Sequence, residues 1–110
     1  SATVATEVPV WLTPEDVKYF KDKGFNLPFS LDAPLTGHID FLQVRHGSVH
    51  ILDYKPQASK ERHAHEQLTF YALALSRRTG LKVKDFRCAW FDDKDYYEFA
   101  PISMVYRWEI

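Results

Sequence analysis

The run Gly37-His38-Ile39-Asp40-Phe41-Leu42-Gln43-Val44-Arg45-His46-Gly47-Ser48-Val49-His50-Ile51-Leu52-Asp53-Tyr54-Lys55 decides the fold. Its arms, 38–45 and 48–55, flank His46-Gly47, and a glycine-containing two-residue break between β-rich runs marks a hairpin. Gly47 supplies a position with positive φ. If Arg45 faces Ser48, then Val44 faces Val49, Leu42 faces Ile51, Asp40 faces Asp53 and His38 faces Lys55. One face of the hairpin is then apolar near the turn and charged at its far end. Directly opposed carboxylates repel by a few tenths to about 1 kcal/mol when exposed, and by more when partly buried. A divalent cation between them would offset that repulsion. The opposition depends on the two-residue loop, because a third loop residue would shift the register by one.

Upstream, Val4 to Leu12 is β-branched and partly alternating, and Pro9 confines it to an edge or irregular strand. Thr13, Pro14 and Asp16 give a helix start, with Val17 and Phe20 on one face and an end near Gly24. Residues 25–36 form a connection, in which Leu27, Phe29 and Leu31 can alternate into a brief strand. Downstream, residues 61–79 make the main helix, with Ser59 as cap and Gly80 at the C-terminal end. Its apolar stripe is Leu68, Tyr71, Ala72 and Leu75, bordered by Ala64, Gln67 and Ala74. Residues 82–91 read as a third strand, 92–95 as a turn, 96–99 as a further strand, and 104–108 as a last strand or an interface segment.

The totals bound the function. With 110 residues, 45% of them hydrophobic, the chain makes a single domain, and 15% aromatic content argues against disorder. The lone Cys88 excludes a disulfide framework and any cluster or zinc site built on several cysteines. Lacking an apolar run of membrane-spanning length and a signal-peptide pattern, the chain is expected to be soluble and intracellular, cytoplasmic or nucleoid-associated, with a virus-encoded origin also open. The missing initiator Met is compatible with a piece of a larger protein. Net charge is −1, so any contact with nucleic acid must use a local patch.

Asp40 and Asp53 with Lys55 carry the chemistry. Mg2+ takes oxygen ligands, keeps waters, and is held by one or two carboxylates plus a substrate phosphate. Lys55 shares a strand face with Asp53, where it can orient or deprotonate a water, neutralise charge on phosphate, or form a simple ion pair. His63 and His65 diverge on a helix and do not make a metal pair. Asp92, Asp93 and Asp95 lack the glycine and terminal glutamate of a calcium loop and read as a turn. Lys60, Arg62, Arg77 and Arg78 are candidates for phosphate contacts, against the plainer reading of a solvated helix face.

Gly37-x-x-Asp40, then Asp53-Tyr54-Lys55, then Gln67-x-x-x-Tyr71 on the next helix resembles the PD-(D/E)XK nuclease superfamily, in particular its RecB-like and Cas4-like branch. The resemblance implies an α/β (α+β), restriction-endonuclease-like mixed central sheet flanked by helices. It implies Mg2+ or Mn2+ on Asp40, Asp53 and the main-chain carbonyl of Tyr54, with Lys55 acting on the attacking water. Gln67 and Tyr71 position Lys55 or touch substrate phosphate. Family members carry a further upstream ligand, for which Glu7 is the best match and Glu15, on a solvated helix face, a poorer one. The implied function is a DNA phosphodiesterase, with His38, Lys60 and Arg62 as candidate DNA contacts and a partner chain or homo-oligomer able to complete the site. The alternatives are an inactive nuclease fold serving nucleic-acid binding or assembly, and an ion-paired structural hairpin with no nucleic-acid role.

Overall fold

A computed structural model describes residues 2–27 and 29–105. Five strands form one sheet in the order β1-β2-β3-β4-β5, namely Ala2–Leu12, Leu35–Arg45, Ser48–Tyr54, Phe86–Phe91 and Tyr96–Phe99. All neighbours are antiparallel except β3 and β4, which run parallel. The parallel pair requires a crossover, and α2 (Ala64–Thr79) supplies it. The sheet is therefore mixed and carries helices, as the sequence implied.

The hairpin turn has positive φ at both central residues, His46 at 51° and Gly47 at 78°. That is the backbone twist that suits the two flanking strands. The register follows: Arg45 faces Ser48, Val44 faces Val49, and Leu42 faces Ile51. The ladder stops at Phe41 and Leu52, so the expected facing pairs Asp40/Asp53 and His38/Lys55 do not form. Tyr54 instead donates its main-chain N–H to Asp40 Oδ2 at 3.0 Å. The Asp40 side chain thus replaces a ladder carbonyl, and the strands separate beyond it. His38 pairs with Pro9 of β1, and Lys55 lies past the end of β3, its N–H bound to the Phe91 carbonyl at 2.9 Å.

β1 is an edge strand, where Pro9 is tolerated. Pairing brackets Glu7, with Thr6 on Phe41 and Val8 on Ile39, so Glu7 occupies the strand position beside Asp40. Its φ of 49° is left-handed, uncommon for a residue with a side chain.

Four expectations about boundaries are corrected. β2 begins at Leu35, and Leu27, Phe29 and Leu31 form no strand; they pack as loop side chains against the core. α2 begins at Ala64, because residues 58–60 make a separate 3-10 turn; His63 takes the cap position and Ser59 does not. β4 begins at Phe86, after a 3-10 turn over Val83–Asp85 whose start is fixed by Asp85 accepting the Lys82 N–H at 2.9 Å. Met104 and Val105 belong to a short helix, α3 (Ile102–Val105), and the remainder of the predicted 104–108 strand lies outside the described residues.

The core lies between the sheet and α2. Ile39, Ile51, Cys88 and Trp90 face Leu68, Tyr71, Ala72 and Leu75 in one buried cluster. Ala74, at the border of the expected stripe, is also buried, as are Leu73 and Ser76, which the stripe missed. The same cluster also takes in Val17 and Phe20 of α1 (Pro14–Asp22) and Phe25, Leu27, Phe29 and Leu31 from the connection after it. Asp16 clamps α1 to α2. It closes a capping box with Thr13 and accepts from Arg77 at 2.9 Å and from Arg78. Arg77 also lies over the Tyr19 ring and Arg78 over Trp11. These two arginines hold the fold together, and the reading of them as phosphate contacts gives way.

Candidate active site

The site sits where β2 and β3 part. Asp53 is carried by the last turn-free residues of β3, pairs with Trp90 of β4, and is 5% exposed. Lys55 Nζ stands 3.0 Å from its Oδ2, yet that oxygen is buried and has no aligned hydrogen bond. Asp40 reaches the same carboxyl from β2. Burial first, then hydrogen bonding to Asp40, push the Asp53 pKa up to about 6 against the opposing pull of Lys55. The Lys55 pKa is raised as well. Burial works to lower its pKa, but Asp53, Glu61 and Tyr71 prevail and raise it, so its resting form is the ammonium.

The helix supplies the second layer. Gln67 Nε2 donates to Tyr71 Oη at 2.9 Å, one helical turn apart. Tyr71 is buried, and its pKa is raised by that burial and by Asp53, against Gln67, Lys55 and a main-chain bond from His38. His38 therefore reaches the site through its backbone, while its residue as a whole is exposed.

Gly37 explains the first motif. A Cβ there would lie 2.8 Å from Tyr71 Cε1 and 3.3 Å from Tyr71 Oη, so only glycine lets the β2 backbone pass this ring. Gly37→Ala is expected to displace Tyr71 and its bond to Gln67. Overpacking of this kind costs about 1–3 kcal/mol, measurable as a lower melting temperature.

Beside these residues lies a cleft of about 530 Å3, walled by Phe29, Leu31, Leu35 and Phe70 and reaching Gln67 and Tyr71. His63 lines it as well, while His65 meets Trp90 edge-on and packs at a tilt on Phe99. The two histidines diverge as expected. Lys60 and Arg62 are exposed on the segment leading into α2. Glu61, on the same segment, escaped the sequence reading. Its charge acts on Lys55, and it accepts the His63 N–H at 2.7 Å. Only its position six residues after Lys55 hinted at this, because a loop side chain carries no periodic signal.

The structure thus gathers Asp40, Asp53, Lys55, Gln67 and Tyr71. Glu7 is exposed, and among the described residues no group of three or more His, Cys, Asp or Glu side chains converges as a metal site would. Glu15 lies exposed on α1. Asp92 is a turn residue, accepting the N–H groups of Ala58, Lys94 and Asp95. Cys88 is buried, and burial raises its thiol pKa far from reactivity.

Two neighbouring acids, one of them buried, and an ammonium tethered to the buried one make a site suited to a hard divalent cation and a phosphoryl group. A family model of the PD-(D/E)XK nuclease superfamily matches residues 2–104, and the chain belongs to that superfamily. Its substrate class is accordingly nucleic acid. No curated protein matches the chain. Among the described residues, no helix is long and apolar enough to cross a membrane.

Proposed function

We propose that this protein is a deoxyribonuclease that hydrolyses phosphodiester bonds with Mg2+ or Mn2+, and that it falls in the RecB-like and Cas4-like branch of its superfamily. The observation that carries the reading is the Asp53 carboxyl: buried, reached by Asp40 from the neighbouring strand, and 3.0 Å from the Lys55 ammonium. Burial and the neighbouring Asp40 work against the charged form of this carboxyl even with Lys55 beside it, and a divalent cation would relieve that. Asp40, Asp53 and the Tyr54 main-chain carbonyl would hold the ion, with Glu7 as a further ligand from the neighbouring strand position. When bound, the ion supplies a water of lowered pKa and polarises a phosphoryl oxygen.

Lys55, held as an ammonium, is better suited to orient that water and to neutralise charge developing on phosphate than to take up a proton. Gln67 and Tyr71 fix the lysine from α2. Lys60, Arg62 and His38 border the site as contacts for flanking DNA. A partner chain or second copy that adds a carboxylate is compatible with the exposed position of Glu7.

The test is incubation of labelled single- and double-stranded DNA, and of RNA, with Mg2+ or Mn2+. Wild type should cleave DNA, whereas Lys55→Ala should lose at least a hundredfold and Glu7→Gln a smaller factor. Cleavage indifferent to Lys55→Ala would sink the catalytic assignment. DNA binding without cleavage under either metal would instead establish the inactive, binding-only fold.

A further inference from the structure

The buried core, with α2 and the connections that pack on it, occupies one face of the sheet. The opposite face carries two features that the site above does not use. At its hairpin end, Arg45 reaches across from β2 to β5, where its Nη2 donates to Tyr96 Oη at 3.1 Å. Tyr96 Oη donates to Glu98 Oε1 at 3.3 Å, and Arg87 Nε donates to Glu98 Oε2 at 2.9 Å. His50, 8% exposed, pairs with Arg87 in the parallel ladder. Burial and the neighbouring Arg45 lower its pKa, which keeps the imidazole neutral. Two guanidinium groups therefore face one carboxylate. Arg45 Nε and His50 Nδ1 are both buried with no hydrogen-bond partner. The exposed side of the Arg45 guanidinium, within that excess of positive charge, suits an anionic oxygen.

The second feature is aromatic. Tyr54 meets Phe91 edge-on with ring centroids 5.8 Å apart, and Phe91 meets Tyr96 at 6.3 Å. Tyr54 and Tyr96 are each 48% exposed. The rings make a strip from the cationic cluster to the residue that follows Asp53.

We propose that this face binds a single-stranded polynucleotide, with a phosphate on the outer nitrogens of the Arg45 guanidinium and bases stacked on Tyr96 and Tyr54. The Arg45 fork suits a phosphate oxygen, and half-exposed rings beside it suit unpaired bases, whose π-faces a duplex would hide. The strip would hold the stretch of substrate that is not being cut. The inference rests on the nucleic-acid substrate of the reading above and gives that substrate its strandedness.

Fluorescence anisotropy of labelled oligo(dT), roughly a dozen nucleotides long to match the site size of one small domain, tests it in EDTA, where no cleavage occurs. Arg45→Gln and Tyr96→Ala should each weaken binding by about fivefold or more. Arg45→Gln should also flatten the salt dependence by about one phosphate contact. Tyr96→Phe, which keeps the ring, should bind nearly as wild type, and duplex affinity should barely change. An oligo(rU) arm separates the two sugars: equal losses assign the face to single strands of either kind, and a loss confined to oligo(dT) assigns it to DNA.

Unchanged oligo(dT) affinity in folded Arg45→Gln and Tyr96→Ala overturns the inference, as does a loss in Tyr96→Phe equal to that in Tyr96→Ala. A change in oligomeric mass without a change in affinity also overturns it, because a second copy would then cover the face. Intact metal-dependent cleavage alongside unchanged affinity would leave the nuclease reading standing. Weakened binding in the variants of a protein that cuts nothing would remove that reading alone.

Discussion

Asp53→Asn is expected to abolish metal-dependent cleavage while raising the melting temperature of the metal-free protein near pH 8. The two effects have one cause. The wild-type carboxyl is buried, has Asp40 beside it and has its pKa raised to about 6 from 3.8. A group whose folded-state pKa lies above its unfolded value contributes stability that is fully present below the unfolded pKa and is lost as pH rises through the folded one. For Asp53 that window runs from about pH 4 to about pH 6. Above it the folded protein carries a penalty of roughly 2–3 kcal/mol at most, even with Lys55 beside it. Asparagine resembles the protonated acid and does not carry the penalty, so its stability should be flat across that window. Melting curves from pH 4 to pH 8 in EDTA measure the difference.

The same variant separates the metal from the fold. Millimolar Mg2+ or Mn2+ should raise the melting temperature of wild type by relieving the Asp40/Asp53 repulsion, and should leave Asp53→Asn unmoved. Equal metal shifts in both proteins would remove Asp53 from the proposed ligand set. A metal-free Asp53→Asn less stable than wild type near pH 8 would show that the ion pair with Lys55 outweighs burial.

The hairpin was legible because its two-residue glycine turn fixes pairing outward, and five facing pairs from Arg45/Ser48 to Phe41/Leu52 follow from it. Legibility stopped at Asp40, for a physical reason. Strand alternation assumes that the main chain satisfies the ladder, and here a side-chain carboxylate takes the Tyr54 N–H and ends it. The facing of Asp40 and Asp53 was therefore close in place and wrong in kind. The motif spacing placed Gln67 on Tyr71 but gave no reason for Gly37, which emerges only from the ring that a Cβ would strike. The start of α2 was misplaced because the residues before Ala64 continue a polar run into a 3-10 turn. Arg77 and Arg78 read as a basic helix end suited to the dipole. Their actual partner, Asp16, lies 61 residues away from Arg77, and no local pattern announces it.

That partner gives the largest stability effect expected of a single side chain outside the site. Asp16→Ala should lower stability by roughly 3–5 kcal/mol, the cost of opening a buried ion pair, with the lost helix cap contained in that figure. Asp16 is 2% exposed, and each oxygen is used: Oδ1 by Arg77, and Oδ2 by Arg78 and the Thr13 N–H. The arginine side chains are about a third exposed, so water can take them back, which places the outcome nearer the lower bound. Asp16→Asn keeps the shape and can still accept from Thr13, and should lose about half as much.

The pH signature has the opposite sign to that of Asp53. Burial works to raise the Asp16 pKa, but the Thr13 N–H and the two arginines prevail and hold it below the usual 3.8. Its contribution is therefore present above about pH 4 and lost as pH falls through the depressed value. Metal-free wild type, pulled down by Asp16 in acid and by Asp53 toward neutrality, should be most stable between about pH 4 and pH 5. Asp16→Asn should lose the acid limb alone, and Asp53→Asn the neutral limb alone. The two groups lie at opposite ends of the helical layer, without a shared partner, so the double variant should add the two effects to within about 0.5 kcal/mol. A larger coupling would mean that the clamp on α1 and α2 also sets the position of Tyr71 and, through it, of Lys55.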